Sequence, residues 1–164
     1  MKTPVFMPVS EEHLPAIHEI YNYYVIHSTA TFHTAPITLE EMRSLVIPKS
    51  PLYCTYTIQC DDKIVGYVLL TQYKTRAAYN STAEVSIYLS ADYTGKGLGH
   101  TALNFIEDIA RKTGFHALVA NICHENTQSV MLFERCGYER CAHYREVGYK
   151  FDRYLDLVSY EKLL

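Results

Sequence analysis

The run Tyr93-Thr94-Gly95-Lys96-Gly97-Leu98-Gly99-His100 places three glycines at alternate positions just ahead of a segment with helical periodicity. Glycine adopts conformations that a Cβ forbids and lets a ligand come close to the main chain. A helix starting behind such a loop aims unpaired N–H groups and a partial positive charge at it. The chemistry on offer is the binding of a phosphate or pyrophosphate. Other readings of the loop fit less well. Gly97-Leu98-Gly99-His100-Thr101-Ala102 matches the G-x-G-x-x-A dinucleotide fingerprint. That motif follows the first strand of a parallel unit, with an acidic residue about twenty positions on. Here several strands come earlier, and the corresponding position lies near Asn121. No G-x-x-x-x-G-K-[ST] pattern is present, and a glycine-rich turn with no ligand is the remaining alternative.

The flanking sequence predicts the elements that hold this loop. Val5-Phe6-Met7 reads as a short strand, and Leu14, Ile17, Tyr21 and Tyr24 recur as on an amphipathic helix over 11–26. Residues 28–36 read as a loop. Thr38 and Glu41 form a capping box for a short helix that ends before Pro48. Segments 53–59 and 63–72, separated by Cys60-Asp61-Asp62, read as a hairpin. After a loop at 74–80, residues 83–89 form a strand with Val85, Ile87 and Leu89 on one face and Glu84, Ser86 and Tyr88 on the other. A helix follows the glycine loop and ends near Gly114. A strand at 117–122 comes next, then a helix capped by Asn126 or Thr127 that ends at Gly137. Segments 138–146 and 150–158 close the chain as strands. The order implies a single α/β (α+β) domain spanning 1–164, with a mixed sheet and helices on both faces.

Composition narrows the class further. The 164-residue chain has a net charge of −3, without the basic excess of a general nucleic-acid binder. No stretch reaches the ~18 apolar residues of a membrane span, and the beginning Met1-Lys2-Thr3-Pro4-Val5 lacks the pattern of a signal peptide. These features lead to an expectation of a cytoplasmic location. The five cysteines have no two-residue spacing, so reduced and mostly buried thiols are expected. The histidines show no metal-ligand spacing, and no metal is expected.

In series, three pieces resemble the GNAT superfamily of acetyl-CoA-dependent N-acetyltransferases. They are the strand beginning Ala83-Glu84, the loop Gly95–Gly99, and Asn126 followed by Leu132-Phe133-Glu134-Arg135-Cys136-Gly137-Tyr138. Ile20-Tyr21-Asn22, Arg76-Ala77-Ala78-Tyr79 and the tail Gly148-Tyr149-Lys150-Phe151-Asp152-Arg153-Tyr154-Leu155-Asp156 are similar to the phosphinothricin and methionine sulfoximine acetyltransferase branch. The resemblance implies a mostly antiparallel sheet of about seven strands. It implies acetyl-CoA as co-substrate. The pantetheine arm would lie along Ile87, Tyr88 and Leu89, the pyrophosphate on the amides of Gly95, Lys96, Gly97, Leu98, Gly99 and His100, and Asn126 would reach the same ligand. Thr94 stands where the family usually has Arg or Gln, a difference that bears on cofactor affinity. A homodimer is common in the family.

The resemblance also assigns the chemistry. An amine with a pKa near 10 arrives mostly as an ammonium and must lose a proton before it attacks a thioester. Glu84 is the implied base, with strand N–H groups from Ile87–Leu89 as oxyanion donors. Many relatives place a Tyr where this chain has Phe133. Tyr138 and His124 are possible substitute acids, although a thiolate leaves readily without one. Cys123 is the candidate for a covalent route, and its bland reading is a small buried hydrophobe. Arg76 would pair with a substrate carboxylate, while Tyr79 and Phe32 would line the acceptor pocket. The leading expectation is acetylation of a small amino acid or analogue. Alternatives are a protein N-terminal or lysine acetyltransferase and a non-catalytic acyl-CoA sensor.

Overall fold

A computed structural model describes residues 3–164; Met1 and Lys2, part of the N-terminal segment read above, lie outside the described residues. Helix α1 (Leu14–His27) buries Leu14, Ile17, Tyr21 and Val25, spaced to form one stripe. Helix α2 (Leu39–Val46) starts at the expected capping box. Thr38 Oγ1 accepts from Glu41 N at 3.1 Å, and the Glu41 carboxylate accepts from Thr38 N at 2.6 Å. Helix α3 (Leu98–Thr113) buries Leu98, Ala102, Leu103, Ile106 and Ala110 and stops at Gly114, whose φ of +97° only glycine adopts freely. Helix α4 (Thr127–Arg135) is capped by Asn126, whose side chain accepts from Ser129 N.

The strands are β1 (Val5–Pro8), β2 (Cys54–Cys60), β3 (Lys63–Gln72), β4 (Thr82–Leu89), β5 (Ala117–Cys123), β6 (Glu139–Lys150) and β7 (Arg153–Leu163). They form one seven-stranded sheet in the order β1-β2-β3-β4-β5-β7-β6. Every neighbouring pair is antiparallel except β4 with β5. Side-chain alternation divides β3 and β4 between two layers. Val68, Leu70, Val85 and Ile87 pack with α3 and α4, whereas Tyr67, Leu69 and Tyr88 pack with α1 and α2. The sheet is therefore covered on both faces, the arrangement expected from the element order.

The closing hairpin differs from its sequence reading. The sequence reading ends one strand at 146 and begins the next at 150, but the turn falls at Phe151-Asp152, with φ of 53° and 57°. Gly148 lies within β6. A Cβ there would sit 2.6 Å from Cε2 of Phe32, so the glycine is required by the close approach of a ring. Both strands are consequently longer than expected, and β6 carries register irregularities between Arg140 and Ala142 and between Tyr144 and Gly148.

Candidate active site

The parallel ladder between β4 and β5 has only the rungs Thr82–Ala117, Ala83–Leu118 and Glu84–Val119. Beyond Glu84 the strands part. A cleft of about 440 Å³ occupies the opening, lined on one lip by Val85, Ser86, Ile87, Tyr88 and Leu89 and on the other by Ala120, Asn121 and Ile122. The backbone polar groups of β4 on this side have no partner strand in β5, so an extended polar ligand can bond to them as a strand would. The Leu89 carbonyl is already taken, since Tyr24 Oη donates to it.

At its far end the cleft meets the glycine loop. Thr94, Gly95, Gly97, Gly99 and His100 line it together with Asn126, Ser129, Met131 and Phe133 from the start and face of α4. The loop glycines serve different needs. Gly95 and Gly97 have φ of +70° and +82°, and a Cβ at either would meet nothing within 4 Å. They are there for backbone conformation. Gly99 lets two helices approach, because a Cβ there would lie 2.8 Å from Cδ2 of Leu132. No side chain caps α3, and the first amide bonded back within it is Thr101 N, to Gly97 O. The amides ahead of it form an anion cradle on an uncapped helix end, which fits a pyrophosphate.

Of the residues expected at this ligand, Ile87, Tyr88, Leu89, Gly95, Gly97, Gly99, His100 and Asn126 line the cleft. Leu98 turns its side chain into the core. Lys96 holds its ammonium over the Tyr93 ring, 5.1 Å from the centroid. For these two, only backbone N–H groups remain to serve the site. The Thr94 hydroxyl donates to Ala91 O at 3.0 Å. Gln128 and Arg135 also line the cleft and were not singled out in the sequence. Their position on α4, two and nine residues beyond Asn126, is the signal that would have found them.

Glu84 sits where the two strands separate. Burial raises its carboxyl pKa, opposed by a hydrogen bond from Asn121. Asn121 lies directly across from Ser159 in the β5–β7 ladder, and Ser159 Oγ donates to its Oδ1 at 2.6 Å. That bond commits the amide oxygen to β7 and leaves Nδ2 as the donor to Glu84. Glu84 itself does not line the cleft; it sits one residue before Val85 of the cleft wall, with a proton affinity shifted toward the range useful for a base.

The remaining candidates are dispersed. Phe133 is 2% exposed and packs edge-to-face on Tyr138. Tyr138 is buried beside Glu107, and burial followed by that carboxylate drives its pKa far up. It does not line the cleft. His124 packs against His143, whose Nε2 lies 2.7 Å from Asp156 Oδ2. Cys123 is buried and outside the cleft wall. Arg76 is exposed ahead of the turn Ala77–Tyr79, and the Tyr79 ring meets Tyr73 with Lys74 over both. Phe32 lies on Gly148 of β6. None of these three lines the cleft. Among the described residues, no group of three or more His, Cys, Asp or Glu has metal-holding geometry, and no helix is long and apolar enough to cross a membrane.

An interrupted parallel pair flanked by an uncapped, glycine-preceded helix offers a site that an extended phosphate-bearing ligand fits. Residues 8–158 match the model of the acetyltransferase (GNAT) domain, and the chain belongs to that family of N-acetyltransferases. It is 35% identical over 160 residues to a phosphinothricin N-acetyltransferase of Alcaligenes faecalis, covering 95% of this chain and 80% of that protein. It is 31% identical to an L-methionine sulfoximine/L-methionine sulfone acetyltransferase of Salmonella typhimurium, covering 87% of this chain and 84% of that protein. The crystal structure of a phosphinothricin acetyltransferase from Sinorhizobium meliloti, solved in complex with acetyl-CoA, superposes with a TM-score of 0.94 at 26% identity, covering 99% of this chain and 89% of that one.

Proposed function

We propose that this protein transfers an acetyl group from acetyl-CoA to the amine of a small amino-acid-like substrate, of the kind its relatives are named for, with Glu84 as general base. The observation that supports the mechanism is the half-buried Glu84 on the last rung of the β4–β5 ladder, next to Val85 of the cleft wall, with a hydrogen bond from Asn121. Glu84 takes a proton from the ammonium, directly or through one water. The freed nitrogen attacks the thioester carbonyl, so a C–N bond forms and the C–S bond breaks. Amide N–H groups on the open edge of β4 donate to the oxyanion in this mechanism. The sulfur leaves as a thiolate, and the proton shed by the new amide nitrogen restores the thiol. With Phe133 buried and apolar, no side-chain acid is needed for a leaving group of pKa ~8.5.

Arg76 is the proposed partner of a substrate carboxylate, with Tyr79 and Phe32 on the acceptor side. Homodimerisation is supported by the closing hairpin, where Tyr144, Val147, Tyr149, Phe151 and Tyr154 are each about half exposed or more. Light scattering of the purified chain tests it.

The deciding assay is thiol release from acetyl-CoA across phosphinothricin, methionine sulfoximine, common amino acids, polyamines and short peptides. Turnover with an amino-acid analogue, lost in Glu84→Gln, is the expected result. Tight acetyl-CoA binding with no turnover on any amine would overturn it in favour of a sensor, and turnover on peptides alone in favour of a protein acetyltransferase.

A further inference from the structure

Lys150 is only 3% exposed, at the end of β6, yet among the described residues no carboxylate pairs with its ammonium. Its Nζ donates to Ser28 O at 2.7 Å and to Thr31 O at 2.8 Å, in the loop between α1 and α2. Burying a cation against neutral carbonyls costs the fold, and the pKa of Lys150 is lowered by that burial. A buried methionine would fill similar space without the cost. The ammonium also lies 5.0 Å from the centroid of the Phe151 ring, and its two bonds tie the loop to β6 at a place that reaches the cleft. Ala30, between the two gripped carbonyls, lines the cleft. Thr31 Oγ1 shares a hydrogen bond of 2.6 Å with Tyr21 Oη and another with Tyr88, which also lines the cleft. Two further struts hold the same loop. Thr29 Oγ1 donates to Glu125 at 2.8 Å while Arg153 grips that carboxylate, and Phe32 seats on Gly148.

We propose that Lys150 is a positioning residue for acetyl transfer: by holding the carbonyls of Ser28 and Thr31 it fixes the loop that brings Ala30 to the cleft wall, on the side where the acceptor amine enters. This rests on the acetyl-transfer reading above. The hydrogen bonds and ring contact of Lys150 go to Ser28, Thr31 and Phe151 and not to the glycine loop or α3, so its loss acts on the loop side of the cleft and leaves the phosphate end of the donor site in place.

The test is Lys150→Met, with steady-state thiol release on the best amine of the panel and acetyl-CoA affinity by calorimetry, both per folded protein. The expected result is a fall of about tenfold or more in kcat/KM for the amine, with acetyl-CoA affinity within about twofold of wild type, as misplacing a site wall implies. A folded Lys150→Met with wild-type kcat/KM for the amine would overturn the proposal, as would an equal loss of acetyl-CoA affinity. If Lys150→Met does not fold, Thr29→Val cuts the neighbouring strut without leaving a buried charge. It is expected to raise the amine KM about threefold with acetyl-CoA affinity unchanged, and an unchanged KM refutes the role. Failure of the wild type on every amine refutes the transfer reading itself. Wild-type turnover with an unaffected Lys150→Met refutes only the role of Lys150.

Discussion

Glu84→Gln separates catalysis from stability, because the two are expected to move in opposite directions. Glutamine keeps an acceptor for Asn121 and nearly the same volume, but it takes up no proton at working pH. Loss of a general base costs about 10²–10⁴ in rate, and the lower figure corresponds to about 2.7 kcal/mol on the barrier. Stability follows from the raised carboxyl pKa. When the folded pKa lies above the unfolded one, the stabilising contribution is complete below the unfolded value of ~4.3 and is lost as pH rises through the folded value. Wild type thus carries a destabilising charge at pH 8 that the variant lacks. Glu84→Gln should melt at the same temperature as wild type or higher at pH 8, and the advantage should shrink toward pH 4. Thiol release from pH 6 to 9, acetyl-CoA calorimetry and thermal melts from pH 4 to 8 provide the assay. A variant with wild-type turnover refutes the base role. One that loses activity together with several degrees of melting temperature at pH 8 refutes the argument from burial.

Gly99→Ala forces Leu132 to move and should cost about 1–3 kcal/mol in urea unfolding, with weaker acetyl-CoA binding because α3 and α4 form one end of the cleft. Gly97→Ala meets no atom and should cost only about 1 kcal/mol of left-handed backbone strain, so a larger loss than at Gly99 would contradict the separate roles given to the two glycines. Ser159→Ala frees the Asn121 oxygen and should lower kcat about fivefold, the equivalent of one ordinary hydrogen bond of ~1 kcal/mol, with little change in acetyl-CoA affinity. The Glu125 carboxyl is pulled down to about 2, chiefly by Arg153. A depressed folded pKa gives stability that is present above ~4.3 and lost as pH falls through that lower value. Glu125→Gln should therefore be less stable than wild type at pH 7, by no more than about 1 kcal/mol for so exposed a pair, and denaturant melts of the two should converge in acid.

The glycine loop and the start of α3 were legible because their requirements are local. Glycine spacing, a following helical stripe and a preceding strand occupy adjacent residues, and each has a strong residue preference. The capping box of α2 was readable for the same reason. The support behind Glu84 was not, because Asn121 and Ser159 are 38 residues apart and meet only through the β5–β7 register. A polar residue amid the apolar run Leu118-Val119-Ala120-Asn121-Ile122 was the available hint. The break placed between 146 and 150 was wrong because a glycine in a strand-like segment has two physical causes, a turn or a close neighbour. Only the tertiary fold brings Phe32 to Gly148.

The three rungs between β4 and β5 have a consequence for the whole molecule. They fasten a four-stranded half-sheet to a three-stranded one at one end only, like a zipper closed for its first few teeth. A ligand bonded to both open lips adds teeth. By mass action, one present at a hundred times its Kd lends the folded state about 2.7 kcal/mol. The melting temperature of this protein should climb with the concentration of acyl donor, and proteolysis of the free chain should start along the seam. In a cell where the donor ran low, the half-life of the protein would shorten with it, coupling the abundance of the enzyme to the supply of its own co-substrate.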